Sequence, residues 1–353
     1  MRIAIVNDVR MAVEVLRRVV TSVPDYQVAW VAEDGEEAVR QCAADVPDLI
    51  LMDLMMPRMD GAEASRLIMR DSPCAILVVT STVEGHSPKV FEAMGFGALD
   101  AVNTPVLEMS GEPANATELL AKIAMFRKLI GKSRTKAPRV HLPAVAPRSG
   151  LRVGFPLITI GSSTGGPSAL GRVLAGLPLK LHAAIAIVQH VDELFAPGLA
   201  SWLARESSRD VRVIRAGDRP DPAAVQIAST NEHLLLTPQL TFTYSQEPVD
   251  YCYRPSVDVF FESVATWWPV TAIGVLLTGM GEDGAKGLLA MRRVGWHTIA
   301  QDKASSIVYG MPKAAARLDA ATEILPLDQI AAAITREAAR PLARHVYRKR
   351  SHA

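Results

Sequence analysis

The sequence predicts two α/β domains, each built on a doubly wound, mostly parallel sheet. Short aliphatic runs alternate with amphipathic segments of helical length along most of the 353 residues. The runs are almost continuously apolar, which is typical of strands that are buried on both faces in a parallel sheet. A stretch rich in proline and basic residues interrupts this alternation near the middle and divides the chain in two.

The apolar runs predict the strands of each domain in turn. In the first domain they are RIAIV, QVAWVAE, DLILMD, AILVVT and ALDAVN. In the second they include FPLITIG, HAAIAIVQ, VRVI, TAIGVLLTG and HTIAQ. Sheets of this kind bind ligands beyond the carboxyl ends of their strands, so the residues after each run are candidates for a functional site.

The stretch between the domains has a distinct composition. Acidic residues are absent from Leu119 to Val191, and proline, lysine and arginine are frequent there. We interpret residues 126–153 as a solvated linker rather than a nucleic-acid-binding arm. The linker separates a first domain at residues 1–125 from a second at residues 154–345.

The composition excludes several classes of protein. Apolar residues make up 49% and charged residues 21%, as in ordinary globular chains, and the formal charge of +1 provides no field that would gather nucleic acid. Three scattered cysteines argue against a disulfide framework or a zinc cluster and fit a reducing compartment. The chain has no apolar stretch of membrane-spanning length and does not begin like a signal peptide, so we expect a cytoplasmic protein without membrane insertion.

Polar side chains follow three strands of the first domain. Asn7 and Asp8 come after the first run, Asp53 after the third and Thr80 after the fourth. Each aspartate alone could be a helix cap or a solvated loop residue. Two carboxylates at one sheet edge suit Mg²⁺, and a carboxylate beside a metal can act as a nucleophile toward a phosphoryl group.

The segment DLMMPRMDG, together with these residues, resembles the receiver domain of bacterial response regulators over residues 1–125. The resemblance implies a flavodoxin-like fold and a CheA-type histidine kinase as phosphodonor. It also implies that Asp53 is the phosphoacceptor, that Asp8, Asp53 and the backbone carbonyl of Met55 hold Mg²⁺, and that Thr80 contacts the phosphoryl group.

The first domain departs from the receiver pattern at three positions. Asn7 stands where receivers usually carry a second acidic residue, and it keeps an oxygen acceptor but drops a charge. Thr104 stands where they carry a lysine, and Ala101 stands at the position of the switch aromatic. These departures bear on the affinity for Mg²⁺ and on the response to phosphorylation.

A G-x-S-x-G pattern follows the first run of the second domain. Gly161, Ser163 and Gly165 lie between a predicted strand and a predicted helix, where glycines permit a sharp turn that exposes the serine hydroxyl. The helix that follows offers backbone N–H groups to a developing oxyanion. The same segment alone is also compatible with a phosphate-binding loop or a plain turn.

Two further strand ends supply a histidine and an aspartate. His190 follows HAAIAIVQ and could act as a base toward Ser163, and Asp283 in GMGEDG could orient the imidazole. The chain order Ser, His, Asp differs from the Ser, Asp, His order of α/β-hydrolases.

The same glycine-rich segment also suggests an alternative. Gly279, Gly281 and Gly284 match G-x-G-x-x-G, and Asp302 lies about twenty residues further on, as in dinucleotide-binding domains. This alternative predicts an oxidoreductase. It places the fingerprint late in its domain and leaves the candidate serine and histidine unexplained.

The motifs GSSTGGP, IVQH, YRPSVDVFFES, LLTGMGEDGAKGL and AQDKASSIVYGMP together resemble the CheB family of chemoreceptor methylesterases over residues 154–340. The resemblance implies hydrolysis of glutamate γ-methyl esters on the signalling helices of methyl-accepting chemoreceptors, without a cofactor for this step, and deamidation of receptor glutamines in many members. It implies that Ser163 is the nucleophile, His190 the base and Asp283 the orienting acid.

The resemblance carries over to three further residues. Thr164 and the backbone of Met280 stand where the family builds its oxyanion hole, and Arg254 stands in the motif that shapes the substrate groove.

Other functions remain open from the sequence. Asn7 and the NTP segment also resemble methylesterases of Wsp-type surface-sensing systems, which act on a receptor of a cyclic-di-GMP pathway. A receptor-binding signalling module and a general serine esterase with small substrates are two more alternatives. We expect the unphosphorylated first domain to inhibit a site at Ser163, and phosphorylation of Asp53 to relieve that inhibition.

Overall fold

The structure is a computed structural model, and it describes residues 1–80, 87–107, 113–114, 116–130, 153–249, 251 and 253–343. The chain divides into two compact units. We call the domain built by residues 1–130 the N-terminal domain and the domain built by residues 153–343 the C-terminal domain.

The N-terminal domain alternates strands and helices along most of its length. Its elements are β1 (Arg2–Val6), α1 (Arg10–Thr21), β2 (Gln27–Ala32), α2 (Gly35–Ala44), β3 (Leu49–Met52), α3 (Gly61–Asp71), β4 (Ala75–Thr80), α4 (Ser87–Gly95), β5 (Asp100–Asn103), β6 (Val106–Leu107), β7 (Pro113–Ala114) and α5 (Ala116–Ile130).

Five of these strands form one parallel sheet in the order β2-β1-β3-β4-β5. Strands β3 and β4 are buried at every position, because they lie inside the sheet and helices cover both of its faces. Aspartate side chains begin two of the helices: Asp34 accepts the N–H of Glu37 at 2.8 Å, and Asp60 accepts that of Glu63 at 3.0 Å. The sequence-based prediction of a flavodoxin-like domain is confirmed.

The C-terminal domain is larger and has the same alternation. Its elements are β8 (Leu157–Ser162), α6 (Gly166–Gly176), β9 (Ala184–Gln189), a 3₁₀ turn (Glu193–Phe195), α7 (Ala196–Ser207), β10 (Val211–Val213), β11 (Val225–Ile227), β12 (His233–Leu236), β13 (Phe242–Ser245), α8 (Val257–Trp267), β14 (Ala272–Leu276), α9 (Ala285–Arg293), β15 (His297–Gln301), α10 (Met311–Arg317), β16 (Glu323–Leu325) and α11 (Leu327–Ala338).

Seven strands of the C-terminal domain form a parallel sheet in the order β10-β11-β9-β8-β14-β15-β16. Strands β12 and β13 pair separately as an antiparallel ribbon. The first strand of the domain, β8, has its successor β9 on one side and β14 on the other, so the strand order reverses at β8. Such a switch point opens a crevice at the carboxyl ends of the strands.

Helix α8 carries much of the aromatic core of this domain. Phe260 and Phe261 are fully buried, and Trp267 is almost so. Helices α8 and α9 pack closely at Gly287, where an added Cβ would lie 2.6 Å from the Cβ of Phe261. This close packing fixes the N-terminus of α8 against the loop that precedes α9.

All ten apolar runs form strands, and the predicted parallel arrangement is confirmed for both large sheets. Strands β6, β7, β11, β12, β13 and β16 were not predicted. Helix α5 runs to Ile130, so the first residues of the predicted linker are helical, and residues 131–152 lie outside the described residues. Among the described residues, the helices are too short or too polar to span a bilayer.

Candidate active site and phosphoacceptor site

Three neighbouring strands of the C-terminal sheet end at the predicted catalytic residues. Ser163 follows the central strand β8, His190 follows β9, and Asp283 lies in the loop after β14. Ser163 and His190 are only 2% and 5% exposed. The sheet order β9-β8-β14 therefore brings all three to the crevice at the switch point.

Backbone hydrogen bonds extend the sheet past its last paired residues and fix two of these positions. The N–H of Ser163 donates to the carbonyl of Thr278 at 3.0 Å, and the N–H of His190 donates to the carbonyl of Ser162 at 3.0 Å. Gly279 packs directly on the serine, because a Cβ at this glycine would lie 2.8 Å from the Cβ of Ser163. The loop after β14 thus passes against the candidate nucleophile.

Gln189, the last residue of β9, forms hydrogen bonds with the residues at the ends of β8 and β9. Its amide nitrogen donates to the carbonyls of Ser163 at 2.9 Å and His190 at 3.0 Å, and its amide oxygen accepts the hydroxyl of Ser162 at 2.6 Å. Gln189 is fully buried, so these bonds replace water for all of the groups involved. These hydrogen bonds of Gln189 were not predicted from the sequence.

His190 and Asp283 form a buried dyad. The His190 Nε2 atom lies 2.7 Å from Asp283 Oδ2. Since a carboxylate only accepts, Nε2 carries the proton, and Nδ1 is left with a lone pair. Nδ1 is buried and makes no hydrogen bond within the described chain. Nδ1 is therefore the atom that can take a proton from a serine hydroxyl.

Asp283 is held at the N-terminus of helix α8. It accepts the hydroxyl of Ser256 at 2.7 Å and the backbone N–H groups of Val257 at 2.7 Å and Asp258 at 3.1 Å. Burial alone would raise the pKa of Asp283, but the bonds from His190, Ser256 and Val257 lower it below its ordinary value. The positive end of the helix dipole acts in the same direction, so Asp283 is the charged member of the dyad.

The pKa of the neighbouring Asp258 is shifted in the opposite direction. Burial raises the pKa of Asp258 well above its ordinary value, and the charge of Asp283 raises it further, although the N–H of Gly287 donates to Asp258 at 2.8 Å. The pKa values of the two carboxyl groups are thus shifted apart, which favours the negative charge on Asp283.

A second histidine supports the residue that holds Asp283. The Nδ1 atom of His233 accepts the backbone N–H of Ser256 at 3.1 Å, and its Nε2 lies 3.0 Å from the carbonyl of Pro248. Burial lowers the pKa of His233, which favours the neutral ring that this bonding requires. Neither His233 nor Ser256 was predicted as a site residue, although a serine before an apolar helix is a cap signal.

The roles of the remaining predicted residues stay predictions. Thr164 is buried next to Ser163 along the chain, and Met280 is half-buried after Gly279. Arg254 is exposed, and its guanidinium donates to the carbonyl of Val249 at 3.1 Å.

The geometry argues against the dinucleotide alternative. In that fingerprint the pyrophosphate lies against the glycine-rich turn and the helix that follows it. Here Asp283 lies within that turn, between Gly281 and Gly284, and its side chain, which is 9% exposed, is charged. A pyrophosphate would meet this like charge, and the carboxylate is already occupied by His190 and helix α8.

The predicted phosphoacceptor residues lie at the strand ends of the N-terminal sheet. Asp8 is exposed after β1, Asp53 is half-buried after β3, and Thr80 is buried at the end of β4. Asp53 Oδ1 accepts the N–H of Leu54 at 2.7 Å. The side-chain oxygen of Asn7 accepts a hydrogen bond from the backbone N–H of Val9 at 2.8 Å.

These residues fit a magnesium ion by the chemistry of their donors. Asp8 makes no hydrogen bond or ion pair with the described residues, so its carboxylate is available, and Met55 adds a backbone carbonyl after β3. Two carboxylates and a carbonyl are hard oxygen ligands of the kind Mg²⁺ prefers.

Comparisons with known proteins identify the family of each domain. The CheB methylesterase family matches residues 158–334, and the response regulator receiver domain family matches residues 3–109. A Pseudomonas aeruginosa protein named protein-glutamate methylesterase/protein-glutamine glutaminase 3 is 53% identical over 94% of this chain and 98% of its own length. A Pseudomonas fluorescens protein of the same name, numbered 1, is 55% identical over 94% of this chain and 97% of its own length.

A solved structure matches the C-terminal domain. It is the CheB methylesterase catalytic domain of Thermotoga maritima, which has 34% sequence identity to this chain and a TM-score of 0.50. The match covers 52% of this chain and 99% of the Thermotoga maritima chain. The chain therefore belongs to the CheB methylesterase family, with a response-regulator receiver domain in front of the catalytic domain.

Proposed function

We propose that this protein hydrolyses glutamate γ-methyl esters on the signalling helices of chemoreceptors and deamidates receptor glutamines. The observation that carries the proposal is the buried dyad, in which Asp283 fixes His190 with Nδ1 unbonded, one strand away from Ser163. The names of the relatives support the choice of substrate. Those names do not favour the Wsp-type alternative.

The reaction begins with acylation of the serine. His190 Nδ1 takes the hydroxyl proton of Ser163 as Oγ attacks the ester carbonyl carbon, and the carbonyl oxygen becomes an oxyanion. Asp283 stabilises the imidazolium that forms. The imidazolium then returns the proton to the methoxy oxygen, the carbon–oxygen bond breaks, and methanol leaves a glutamyl–serine ester.

Deacylation repeats these steps with water. Water attacks the glutamyl–serine ester and gives its proton to Nδ1, and Oγ leaves as the proton returns to it, which frees the glutamate carboxyl group. With glutamine as substrate, the first step releases ammonia and the second is identical. One mechanism therefore accounts for both activities in the relatives' name.

We assign the oxyanion hole to Thr164 and the backbone N–H of Met280. The close approach of Gly279 to Ser163 supports this assignment, because it brings the next peptide group of that loop near the reacting carbon. For Arg254 we propose a role in the substrate groove, supported by its exposure on the segment that precedes Ser256.

In the N-terminal domain we propose that Asp53 is phosphorylated by a CheA-type histidine kinase. Asp8, Asp53 and the carbonyl of Met55 would hold Mg²⁺, which when bound supplies positive charge beside the phosphoryl group, and Thr80 would donate to a phosphoryl oxygen. Phosphorylation raises the hydrolytic rate in this proposal. We place the protein in the cytoplasm, which is supported by the free thiols of Cys42 and Cys74.

The test is release of methanol and ammonia from a methylated receptor fragment by the full-length protein, with and without acetyl phosphate and Mg²⁺. We expect Ser163→Ala to lose both products, with a residual rate about 10³-fold or more lower. Ser201→Ala, at an exposed serine of α7, is the matched control and keeps the wild-type rate. Equal rates for Ser163→Ala and wild type would refute the proposal.

A further inference from the structure

The ring of Tyr253 lies face to face with the imidazole of His190. The two ring centroids are 4.0 Å apart, and the ring planes differ by 11°. His190 is buried and Tyr253 is half-buried, so the tyrosine covers one face of the imidazole. The resemblance to known sequences assigned no role to Tyr253.

The hydrogen bonds of the imidazole leave one freedom uncontrolled. Asp283 holds Nε2 at 2.7 Å, but Nδ1 has no bond within the described chain. With only this one hydrogen bond, the ring can tilt about the line that joins Nε2 to the carboxylate. The tilt moves Nδ1. A flat contact on the ring face opposes the tilt, and reaction rates are sensitive to displacements of this kind.

The same contact has an electrostatic consequence. The face of an aromatic ring carries negative charge, and it attracts a cation within about 6 Å of the ring centroid. When His190 takes up the serine proton, the imidazolium lies against that face of Tyr253. Asp283 stabilises the same cation from the ring edge, so the two residues act on it from different directions.

One short segment supplies both supports. Tyr253 stands three residues before Ser256, whose hydroxyl donates to Asp283 at 2.7 Å. The segment therefore contacts the base through a ring and the acid through a hydroxyl.

We propose that Tyr253 is a positioning residue of the hydrolytic reaction, whose ring holds the His190 imidazole in its reactive orientation and stabilises its protonated form. The proposal rests on the proposed function, since it assumes that His190 is the base.

The test compares Tyr253→Leu with Tyr253→Phe in the full-length protein, with a methylated receptor fragment as substrate. Leucine keeps an apolar cover on the imidazole but has no π face, whereas phenylalanine keeps the ring. We expect Tyr253→Leu to lower kcat about 10-fold, equal to about 1.4 kcal/mol, with KM within about twofold of wild type. Tyr253→Phe stays within about twofold of wild type.

The pH profile separates positioning from general damage. Without the π face the imidazolium is less stable, so the acid limb of the kcat profile moves to lower pH in Tyr253→Leu and stays in place in Tyr253→Phe. Tyr244→Leu removes a half-buried tyrosine from the ribbon strand β13 and is the matched control for lost packing. We expect it to leave the acid limb unchanged.

A second readout does not depend on hydrolysis. In protein labelled at histidine, the ring protons of His190 carry a ring-current shift that Tyr253→Leu abolishes and Tyr253→Phe keeps. If Ser163→Ala hydrolyses the ester, the proposed function fails. If Ser163→Ala is inactive but Tyr253→Leu keeps the wild-type kcat and acid limb, or Tyr253→Phe loses as much as Tyr253→Leu, the positioning proposal is overturned.

Discussion

The hydroxyl of Ser256 donates to Oδ1 of Asp283 at 2.7 Å, at the residue where helix α8 begins. The same hydroxyl oxygen accepts the N–H of Val259 at 3.4 Å and so also caps the helix. One side chain thus links the start of a core helix to the acid of the candidate dyad. The C-terminal domain orients its base through a helix terminus rather than through a loop alone.

Ser256→Ala should therefore weaken both the helix and the dyad. Loss of a cap costs about 1 kcal/mol, and loss of a bond to a charged group about 1.5–3 kcal/mol. We expect a lower midpoint in urea and a kcat about 10-fold below wild type, measured by unfolding curves and methanol release. Ser201→Ala controls for removal of a serine hydroxyl. Unchanged kcat in Ser256→Ala would show that Asp283 does not need this bond.

Asp283→Asn should remove most of the activity while keeping the shape of the side chain. The amide NH₂ cannot accept the Nε2 proton and does not stabilise an imidazolium, so Nδ1 ceases to be the basic atom. We expect kcat to fall by about 10³- to 10⁴-fold. Methanol release at saturating substrate measures this effect. A loss smaller than tenfold would contradict the role given to Asp283.

Gly279→Ala should damage the serine site by crowding. The added Cβ would lie 2.2 Å from Met311 Sδ and 2.8 Å from the Cβ of Ser163, so one of them has to move. We expect a stability loss of about 1–3 kcal/mol, together with a lower kcat. Gly154→Ala is the control, because no atom of the described residues, apart from its chain neighbours, lies within 4 Å of its added Cβ. Equal activity and stability in the two variants would show that the packing at Gly279 is not tight.

Glu262 should make the stability of the C-terminal domain depend on pH. Burial raises its pKa from 4.5 to about 7, although Lys286 opposes the shift. Between these values the folded state keeps a proton that the unfolded state has lost, so stability falls as pH rises through this range. From pH 6 to pH 8 the wild type should lose about 1 kcal/mol more than Glu262→Gln. Urea unfolding at both pH values measures the difference, and parallel losses in the two proteins would contradict the prediction.

Asp53→Asn should abolish phosphorylation of the N-terminal domain. The amide is a poor nucleophile and carries no charge to help hold Mg²⁺. We expect no phosphoryl incorporation from acetyl phosphate and no stimulation of methanol release. Asp71→Asn, at an exposed aspartate that ends α3, is the control and should be phosphorylated like wild type. Incorporation into Asp53→Asn at the wild-type level would place the phosphoacceptor elsewhere.

The sequence predicts the dyad because each of its members follows an apolar run that forms a strand. His190 directly follows a buried apolar run, and Asp283 lies in the turn after another. The parallel sheet then brings these ends together whatever the loops contain. The strands themselves are predictable for the same reason, since burial on both faces requires continuous apolar residues.

The supports of the site leave a weaker trace in the sequence. Gln189 donates to two backbone carbonyls, and His233 accepts a backbone N–H. Because any residue type offers these backbone groups, the sequence does not mark the partners. Tyr253 acts through a ring contact whose partner is 63 residues away. Strands β11 and β16 are only three residues long, and so short a pattern is detected unevenly, since the equally short strand β10 is predicted from VRVI.

If Ser163, His190 and Asp283 act as one catalytic unit, a double-mutant cycle shows it. Methanol release is measured for Ser163→Ala, Asp283→Asn and the double variant under identical conditions. If Asp283 acts only through His190 on Ser163, its loss has no further effect once the hydroxyl is gone. We expect the double variant and Ser163→Ala to have the same residual rate. If instead the rate of the double variant is lower than that of Ser163→Ala by the full factor measured for Asp283→Asn, the residues do not act as one unit.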